Sequence, residues 1–301
     1  MDFRRRLRTA APTALAVALA ALLLGHRLVP DVAGAGTLVD SFLPWLGLAV
    51  LPLGGLAFAL RSRPAQIALL VPVLAWAALF VPPMLPATAA DGPGGFRVVT
   101  QNIGAGNTQA GTAATALAAT DADLVAVQER TGRTGPSIDA ALRPGHPYQA
   151  FAGTVGLWSR YPVTAVERLD LAQGWARALR AQVRLPSGPV TVYVAHLASI
   201  RLGETAARDR ALDELTGLLR ADRSPRVLVL GDLNTASTDR RFGALTATVP
   251  EVKTGFGFTW PAVFPLTRPD HVLARGLTAT GDAVLPANGS DHRAVRADFR
   301  P

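Results

Sequence analysis

Eight polar side chains of types that bind metal ions or phosphate lie at or beside the ends of short apolar runs in this chain of 301 residues. They are Asn102, Glu129, His196, Asp232, Asn234, Asp270, Asp291 and His292. Short apolar runs are typical of buried strands, and strand ends on one edge of a sheet converge. Oxygen and imidazole ligands without thiolates suit Mg²⁺ or Mn²⁺ and a phosphate group. The pattern therefore predicts a phosphate-directed site around a hard cation.

Each of these residues, taken singly, also has an ordinary structural explanation. Asn102 precedes a glycine turn, Glu129 could be a solvated strand end, and His196 could be a hydrogen-bonded core histidine. The joint occurrence of all eight favours a site over eight separate coincidences. His26 and His146 lack a comparable context, and we predict ordinary roles for them.

The elements that must position these side chains alternate between strands and helices over residues 96–301. Apolar runs predict strands at Phe96–Thr100, Asp123–Val127, Gly156–Ser159, Ala178–Leu185, Val190–His196, Arg226–Leu230, Asp270–Ala274 and Asp291–Phe299. An Ala-rich segment predicts a helix over Thr112–Ala119, and a leucine stripe predicts an amphipathic helix over Glu204–Asp222. This alternation predicts a domain of the α/β (α+β) class.

Residues 1–90 differ from the rest because they contain long apolar stretches almost free of charge. The stretches are Ala11–Val29, Phe42–Leu60 and Ala65–Leu85, each close to the roughly 20 residues that a helix needs to cross a bilayer. A cleaved signal peptide would explain the first stretch alone, but the two further stretches favour three transmembrane helices. We therefore predict a membrane anchor over residues 1–90 and a catalytic domain over residues 91–301.

The distribution of arginine predicts how this anchor is oriented. Residues 4–8 carry four arginines, and Arg61 and Arg63 lie between the second and third stretches, whereas the loop over residues 30–41 has no Lys or Arg. Because positive loops stay in the cytoplasm, three crossings place the catalytic domain outside it. The protein is thus expected to be a multi-pass cell-membrane protein with an extracytoplasmic catalytic domain.

Composition narrows the chemistry further. The formal net charge is +8 at pH 7, which suits phosphate-bearing substrates or an anionic membrane surface. The chain has no cysteine, so disulfides, thiolate metal sites and cysteine nucleophiles are excluded. The Gly- and Pro-rich segment Ala89–Gly95 is a short tether. We therefore expect the catalytic domain to act close to lipid headgroups.

Seven short motifs, in this order along the chain, resemble the signature of the endonuclease/exonuclease/phosphatase superfamily. They are Gln101-Asn102, Val127-Gln128-Glu129, Leu157-Trp158-Ser159-Arg160-Tyr161-Pro162, Ala195-His196-Leu197, Gly231-Asp232-Leu233-Asn234, Arg268-Pro269-Asp270-His271-Val272-Leu273 and Gly289-Ser290-Asp291-His292. The resemblance covers residues 96–301 and implies a four-layer αββα sandwich. With its helical anchor, the chain is also similar to actinobacterial membrane members linked to glycopeptide resistance.

The resemblance implies a divalent cofactor, Mg²⁺ or Mn²⁺, held at three of these residues. Glu129 would be the principal ligand. Asn102 and Asp291 would help to hold the ion or its water molecules.

The resemblance also implies catalytic roles for the other five residues. Asp232 would orient or deprotonate the attacking water, and Asn234 would hydrogen-bond the phosphate. His196 would donate to phosphate oxygens or to the leaving group, and His292, held by Asp270, would stabilise charge on the phosphoryl oxygens. In-line displacement at phosphorus needs both charge neutralisation and an aimed water, and this set supplies both.

These features support a membrane-anchored phosphohydrolase, either a phosphodiesterase or a phosphatase, acting on lipid-linked envelope phosphates. An extracellular magnesium-dependent nuclease is the alternative. The scarcity of lysine, Lys253 being the single one, and a domain with little room for long duplex-binding loops favour the first. A catalytically silent envelope binding protein is disfavoured, because no expected catalytic residue is missing.

Overall fold

The computed structural model describes residues 2–84, 95–201 and 203–300. The chain forms two compact units, Met1–Leu85 and Pro86–Pro301. The predicted linker Ala89–Gly95 lies, apart from Gly95, outside the described residues.

The first unit is built from helices. Its α-helices are α1 Asp2–Gly25, α2 Ala35–Ser41, α3 Leu43–Leu46, α4 Val50–Ala59, α5 Arg63–Ala68 and α6 Leu70–Phe80. Two segments of the described residues are long and apolar enough to cross a membrane, Thr9–Leu28 and Arg63–Phe80. A third crossing exists only if a bent pair counts as one span, because Val32–Ser41 and Leu43–Ala59 meet at 73°.

The predicted second span, Phe42–Leu60, coincides with the second member of this pair, Leu43–Ala59, so the bend lies at the start of the span. α2 ends at Ser41 and α3 begins at Leu43, with Pro44 in its first turn. A proline ring inside a helix clashes with the carbonyl group four residues earlier, which here belongs to Asp40. Pro44 thus explains why α2 cannot continue straight through this region.

The second unit contains two mixed β-sheets and four α-helices among its described residues. The strands are β1 Phe96–Asn102, β2 Leu124–Gln128, β3 Tyr148–Ala152, β4 Val155–Ser159, β5 Val163–Leu169, β6 Ala178–Leu185, β7 Gly188–His196, β8 Val227–Asp232, β9 Asp270–Arg275, β10 Thr278–Val284 and β11 Val295–Arg300. One sheet has the order β10-β11-β1-β2-β4-β3 and the other β5-β6-β7-β8-β9. The helices are α7 Ala110–Ala118, α8 Gly135–Leu142, α9 Ala206–Ala221 and α10 Phe242–Thr246.

Three buried clusters show that the layers are helix, sheet, sheet and helix. Between the sheets, side chains such as Val98 and Leu124 from the first sheet pack with Leu228 from the second. The outer face of the first sheet packs on α7 and α8, and that of the second packs on α9 and α10. Because both faces of each sheet are covered, the central strands are almost continuously apolar. The predicted four-layer sandwich is confirmed.

All predicted strands and both predicted helices of this unit are present, with shifted ends. The largest shift is at the last strand, which begins at Val295 rather than Asp291. The preceding residues form a loop, because Ser290 Oγ donates to the Asn102 carbonyl oxygen at 2.7 Å. The strands β3, β5 and β10 were not predicted. Of these, β5 is mostly exposed and β10 contains a glycine, so neither shows a clear apolar run.

Candidate active site

Strand pairing brings the predicted residues to one end of both sheets. β1 and β2 are parallel with Asn102 opposite Gln128, so Glu129 follows at the same edge. In the second sheet, His196 lies opposite Asp232 in a parallel pair, and Asp232 lies opposite Asp270 in an antiparallel pair. Parallel strands that end at the same level place their last side chains at one edge of the sheet. An antiparallel neighbour that begins at that level places its first side chain at the same edge.

Asn102 joins the two sheets at this edge. Its Nδ2 atom donates to Glu129 Oε1 at 3.2 Å and to Asp232 Oδ2 at 2.9 Å. Its Oδ1 atom accepts from the Gly104 N–H at 2.9 Å, so the amino group faces the carboxylates. Asn102 is 2% exposed. In this orientation Asn102 positions Glu129 and links it to Asp232.

Glu129 has a constrained backbone and a fixed carboxylate. Its φ angle is +61°, in the left-handed region that non-glycine residues seldom adopt. Its Oε2 atom accepts from the Ala105 N–H at 2.5 Å. The neighbouring Gly104 has a φ of +84°, and a Cβ atom there would lie 3.2 Å from Asp291 Oδ1. The loop after β1 therefore lies against the carboxylates of both Glu129 and Asp291.

The residues predicted to hold a metal fit a hard divalent ion. Glu129 is partly exposed and Asp291 is exposed, so an ion and its water molecules have access to both carboxylates. The donors are the carboxylate oxygens of Glu129 and Asp291, a ligand type that Mg²⁺ and Mn²⁺ prefer, whereas the amino group of Asn102 faces the carboxylates and its amide oxygen bonds the Gly104 N–H. The roles of Glu129, Asn102 and Asp291 as metal ligands remain predictions.

A buried ion pair lies beside this carboxylate edge. His292 Nδ1 lies 2.8 Å from Asp270 Oδ2, and the Thr259 hydroxyl donates to the same oxygen at 2.6 Å. Burial of His292 opposes its protonation, but the Asp270 carboxylate outweighs burial and raises the pKa of His292 to about 10. Burial likewise opposes ionisation of Asp270, yet the charge of His292 and their hydrogen bond lower the pKa of Asp270. At neutral pH the pair is therefore an imidazolium beside a carboxylate.

Asp232 is a buried carboxylate with the properties of a general base. Burial, assisted by the negative charge of Asp270, raises the pKa of Asp232 to about 7. Its Oδ1 atom accepts from the Asn234 N–H at 2.9 Å, which closes a turn with Asn234 at a φ of +46°. Gly231 permits the close strand packing here, because a Cβ atom would lie 1.9 Å from the Ala195 carbonyl oxygen. A carboxylate that titrates near neutrality suits proton abstraction from water.

His196 is the neutral histidine of the site. Its Nε2 atom lies 3.7 Å from both Glu129 Oε1 and Asp232 Oδ2. Burial is the main reason that its pKa is lowered to about 3, and the positive charge of Arg177 adds to the effect. One histidine of the site is thus charged and the other is neutral, so they offer phosphate different kinds of hydrogen bond.

Arg177 belongs to the site, although its sequence context did not predict it. Its Nη2 atom lies 2.7 Å from His196 Nδ1 and 2.9 Å from Nε2, and its guanidinium stacks 5.4 Å from the centre of the Trp175 ring. Burial lowers the pKa of Arg177, while the charges of Asp232 and Glu129 act in the opposite direction. Arg177 precedes β6 in a loop without apolar periodicity, so no sequence signal marked it. It adds a positive charge where phosphate oxygens would bind.

The tightest group of possible metal ligands among the described residues is not the predicted one. Ligand atoms of Asp232, Asp270 and His292 all lie within 4.8 Å of one another. However, the Nδ1 atom of His292 and the Thr259 hydroxyl both bond Asp270 Oδ2, which then serves the ion pair. An imidazolium cannot ligate a cation, so we favour Glu129 over this group as the metal position.

The structure therefore brings the predicted residues to one edge, with Asp291 at its exposed side. Asn234 is held by its backbone bond to Asp232, and its Nδ2 atom donates to the Leu197 carbonyl oxygen at 3.0 Å. His146, predicted to be ordinary, bonds the carbonyl oxygens of Leu142 and Ala122 in the core.

The fold is shared with several solved structures. TDP2 from D. rerio in complex with a single-strand DNA product matches with a TM-score of 0.59 and 17% identity, covering 69% of this chain and 99% of that chain. Sphingomyelinase C from Streptomyces griseocarneus matches with a TM-score of 0.51 and 20% identity, covering 68% and 99%. A mutant of beta toxin from Staphylococcus aureus with bound magnesium ions matches with a TM-score of 0.56 and 13% identity, covering 68% and 99%.

No curated protein matches the sequence. The sequence model of the Endonuclease/Exonuclease/phosphatase family matches residues 99–292, which is more than half of the chain and includes every predicted site residue. Endonucleases, exonucleases and phosphatases all hydrolyse phosphoester bonds. The chain belongs to the Endonuclease/Exonuclease/phosphatase family and is a hydrolase of phosphoester bonds.

Proposed function

We propose that this protein is a membrane-anchored phosphohydrolase that uses Mg²⁺ or Mn²⁺ to cleave phosphoester or pyrophosphate links of lipid-linked substrates outside the cytoplasm. The observation that carries the chemistry is one buried edge where a carboxylate that titrates near neutrality, Asp232, lies beside the imidazolium of His292. A base and an acid of this kind suit the attack of water on phosphorus.

The residues of the edge divide the work of hydrolysis. Asp232 would accept a proton from the attacking water, since its pKa is close to the working pH. His292 would donate from Nε2 to a phosphoryl oxygen, because its Nδ1 atom is held by Asp270. Arg177 would place a fixed positive charge against the same oxygens.

The remaining site residues would orient the substrate and the cofactor. Glu129 and Asp291 would hold the divalent ion, which when bound supplies neutralisation of phosphate charge, and Asn102 would position Glu129 through its hydrogen bond. His196, being neutral, would donate one N–H to the phosphate or the leaving group. The side-chain amide of Asn234 would turn from Leu197 to the phosphate.

The helices and arginines of the first unit support the proposed location at the membrane. Two apolar segments long enough to cross a membrane, and a bent pair that could form a third crossing, support an anchor. The arginines before the first segment, together with Arg61 and Arg63 between the second and third apolar stretches, support an extracytoplasmic second unit. Similarity to the actinobacterial membrane members linked to glycopeptide resistance is part of this proposal.

A substrate panel tests the proposal. Purified full-length chain in detergent micelles is assayed with lipid phosphates, lipid pyrophosphates, single-strand DNA and duplex DNA, each with Mg²⁺ and with Mn²⁺. We expect turnover of lipid phosphates or pyrophosphates that depends weakly on salt. Faster turnover of DNA, falling steeply with ionic strength, would instead assign a nuclease. A reporter fused after Pro301 that proves cytoplasmic would refute the orientation.

A further inference from the structure

Exposed apolar side chains are concentrated around the candidate active site. Among the described residues of the second unit, the large apolar side chains that are more than a third exposed are Tyr148, Val166, Trp175, Ile200, Trp260, Val263 and Phe264. Five of these seven, from Trp175 to Phe264, belong to segments that contact site residues, whereas Tyr148 and Val166 lie on β3 and β5. We call these five residues the apolar rim. Scattered exposed apolar residues are normal, but a grouping beside a site indicates an interaction surface.

The loop over residues 260–267 carries three residues of the apolar rim. Its base is closed by hydrogen bonds between Trp260 and Thr267, in both directions. At its tip, Val263 is 91% exposed and Phe264 is 66% exposed. Most of the surface of these two neighbouring side chains faces water. Burial of that apolar surface against an apolar partner would therefore be favourable.

This loop is fixed directly to the catalytic residues. Thr259, just before it, bonds Asp270. The Ala262 N–H donates to the Asp291 carbonyl oxygen at 2.7 Å, and Arg293 Nε donates to the Ala262 carbonyl oxygen at 2.7 Å. Whatever Val263 contacts is therefore held close to the groups that would bind phosphate.

The opposite side of the site carries the other two residues of the apolar rim. Trp175 stacks under Arg177, which contacts His196. Ile200 lies in the loop after Leu197, whose carbonyl oxygen is bonded by Asn234. Apolar side chains thus flank the site on the side of Asp270 and on the side of His196.

From this arrangement we propose that the apolar rim docks on the surface of a lipid bilayer, so that the site takes a phosphate headgroup directly from the membrane. The proposal rests on the proposed phosphohydrolase function and specifies its substrate as a phosphate joined to hydrocarbon. A lipid phosphate has this chemistry, with an anionic group for Arg177 and His292 next to an apolar part for Val263 and Phe264. Two of the five rim residues, Trp175 and Trp260, are tryptophans, the side chain that is most suited to a membrane interface.

A paired kinetic test uses full-length chain reconstituted in vesicles and the double variant Val263→Ser, Phe264→Ser. Each protein is assayed on phosphatidic acid and on phosphatidylcholine, in long-chain vesicle form and in short-chain form below the micelle concentration. We expect the rate of hydrolysis of the long-chain lipid to fall about tenfold or more in the double variant, because the burial of one or two such side chains is lost. The rate on the short-chain form should fall less than about twofold. Equal loss on both forms, or no loss on either, would overturn the docking proposal.

A labelling test reads docking without activity. Because the chain has no cysteine, Val263→Cys and the control Val166→Cys each give a single labelling site for an environment-sensitive dye. We expect vesicle lipids with spin-labelled acyl chains to quench the dye at position 263 and not at 166. No quenching at position 263 would show that lipid does not cover the rim, and equal quenching at both positions would show that the contact is not specific to the rim; either result would overturn the proposal. If quenching occurs but no phosphoester is hydrolysed, the proposed function fails and the docking surface stands.

Discussion

His292 Nδ1 lies 2.8 Å from Asp270 Oδ2, and Asp270 is fully buried. The carboxylate fixes the orientation of the imidazole, keeps its proton and leaves Nε2 for the substrate. The same oxygen accepts from Thr259, so the orientation of the pair is set from two sides.

Removing the carboxylate of this pair should cost most of the activity. We expect Asp270→Asn to lower kcat by about 10²- to 10⁴-fold, the range of a positioned proton donor, because His292 loses its charge and its orientation. Steady-state kinetics on the best substrate of the panel measures the change. The control is Asp282→Asn, which alters an aspartate that bonds Thr254 away from the site and should retain activity. Near-normal kcat for Asp270→Asn would contradict the role of the pair.

The pH profile of kcat/KM should have two limbs with a plateau between them. Asp232 must be ionised to accept a proton, so activity rises as the pH passes about 7. His292 must be protonated to donate, so activity falls as the pH passes about 10. The profile is measured at saturating Mg²⁺, and Asp232→Asn should remove the acidic limb together with most of the activity. A rate that declines steadily from neutral to alkaline pH is inconsistent with these assignments.

Arg177 should stabilise the negative charge on the phosphoryl oxygens in the transition state. We expect Arg177→Ala to lower kcat/KM by about 10²-fold, as for loss of one donor to a developing oxyanion. Added guanidinium should restore part of the rate, an effect that a purely structural role would not give. Arg168→Ala removes an exposed arginine of β5 and serves as the control. The assignment fails if both variants behave alike.

The position of the metal ion can be distinguished by two variants. We expect Glu129→Gln to weaken Mg²⁺ binding by more than about 10-fold. Loss of a residue that only orients a metal ligand already weakens metal affinity about 10-fold, and loss of the ligand itself should cost at least as much. Asp270→Asn should leave Mg²⁺ affinity within a few-fold of the parent. Isothermal titration calorimetry with Mg²⁺ measures both. The reverse order of effects would place the ion among Asp232, Asp270 and His292 instead.

A second buried network should govern acid stability. Glu251 accepts from Arg268 Nε at 2.9 Å and from His271 Nδ1 at 2.8 Å. Burial opposes ionisation of Glu251, but His271 and Arg268 lower its pKa well below the ordinary 4.5. Its contribution to stability is therefore present above pH 4.5 and is lost as the pH falls through the lowered pKa.

The variant Glu251→Gln tests this network. It leaves Arg268 and His271 buried without their carboxylate, so we expect a loss of about 3–5 kcal/mol at pH 7. The difference from the parent should shrink as the pH falls. Urea unfolding followed by circular dichroism at several pH values measures both effects. A pH-independent difference would contradict the linkage.

Much of the site was predictable because strand ends follow from apolar runs. In the structure His196 lies opposite Asp232, and Asp232 opposite Asp270, on strands whose ends the apolar runs mark. Arg177 and Thr259 were not predictable, because they lie in loops where neither periodicity nor spacing marks a residue.

The membrane segment was harder to predict for a related reason. Hydropathy reports apolar length but not direction, so the bend at Phe42 between α2 and α3 could not be read from it. The proline at position 44 was visible in the sequence, but its effect depends on which neighbours satisfy the backbone.

The most direct test of the central claim is turnover of a phosphoester by purified full-length chain with saturating Mg²⁺, compared with the same enzyme in EDTA and with Asp232→Asn. If the eight residues act as one metal-dependent site, the parent with Mg²⁺ hydrolyses the phosphoester, whereas the parent in EDTA and the variant do not. Adding Mg²⁺ or Mn²⁺ to the EDTA sample then restores the rate. Equal rates in EDTA, or an Asp232→Asn variant as active as the parent, would contradict it.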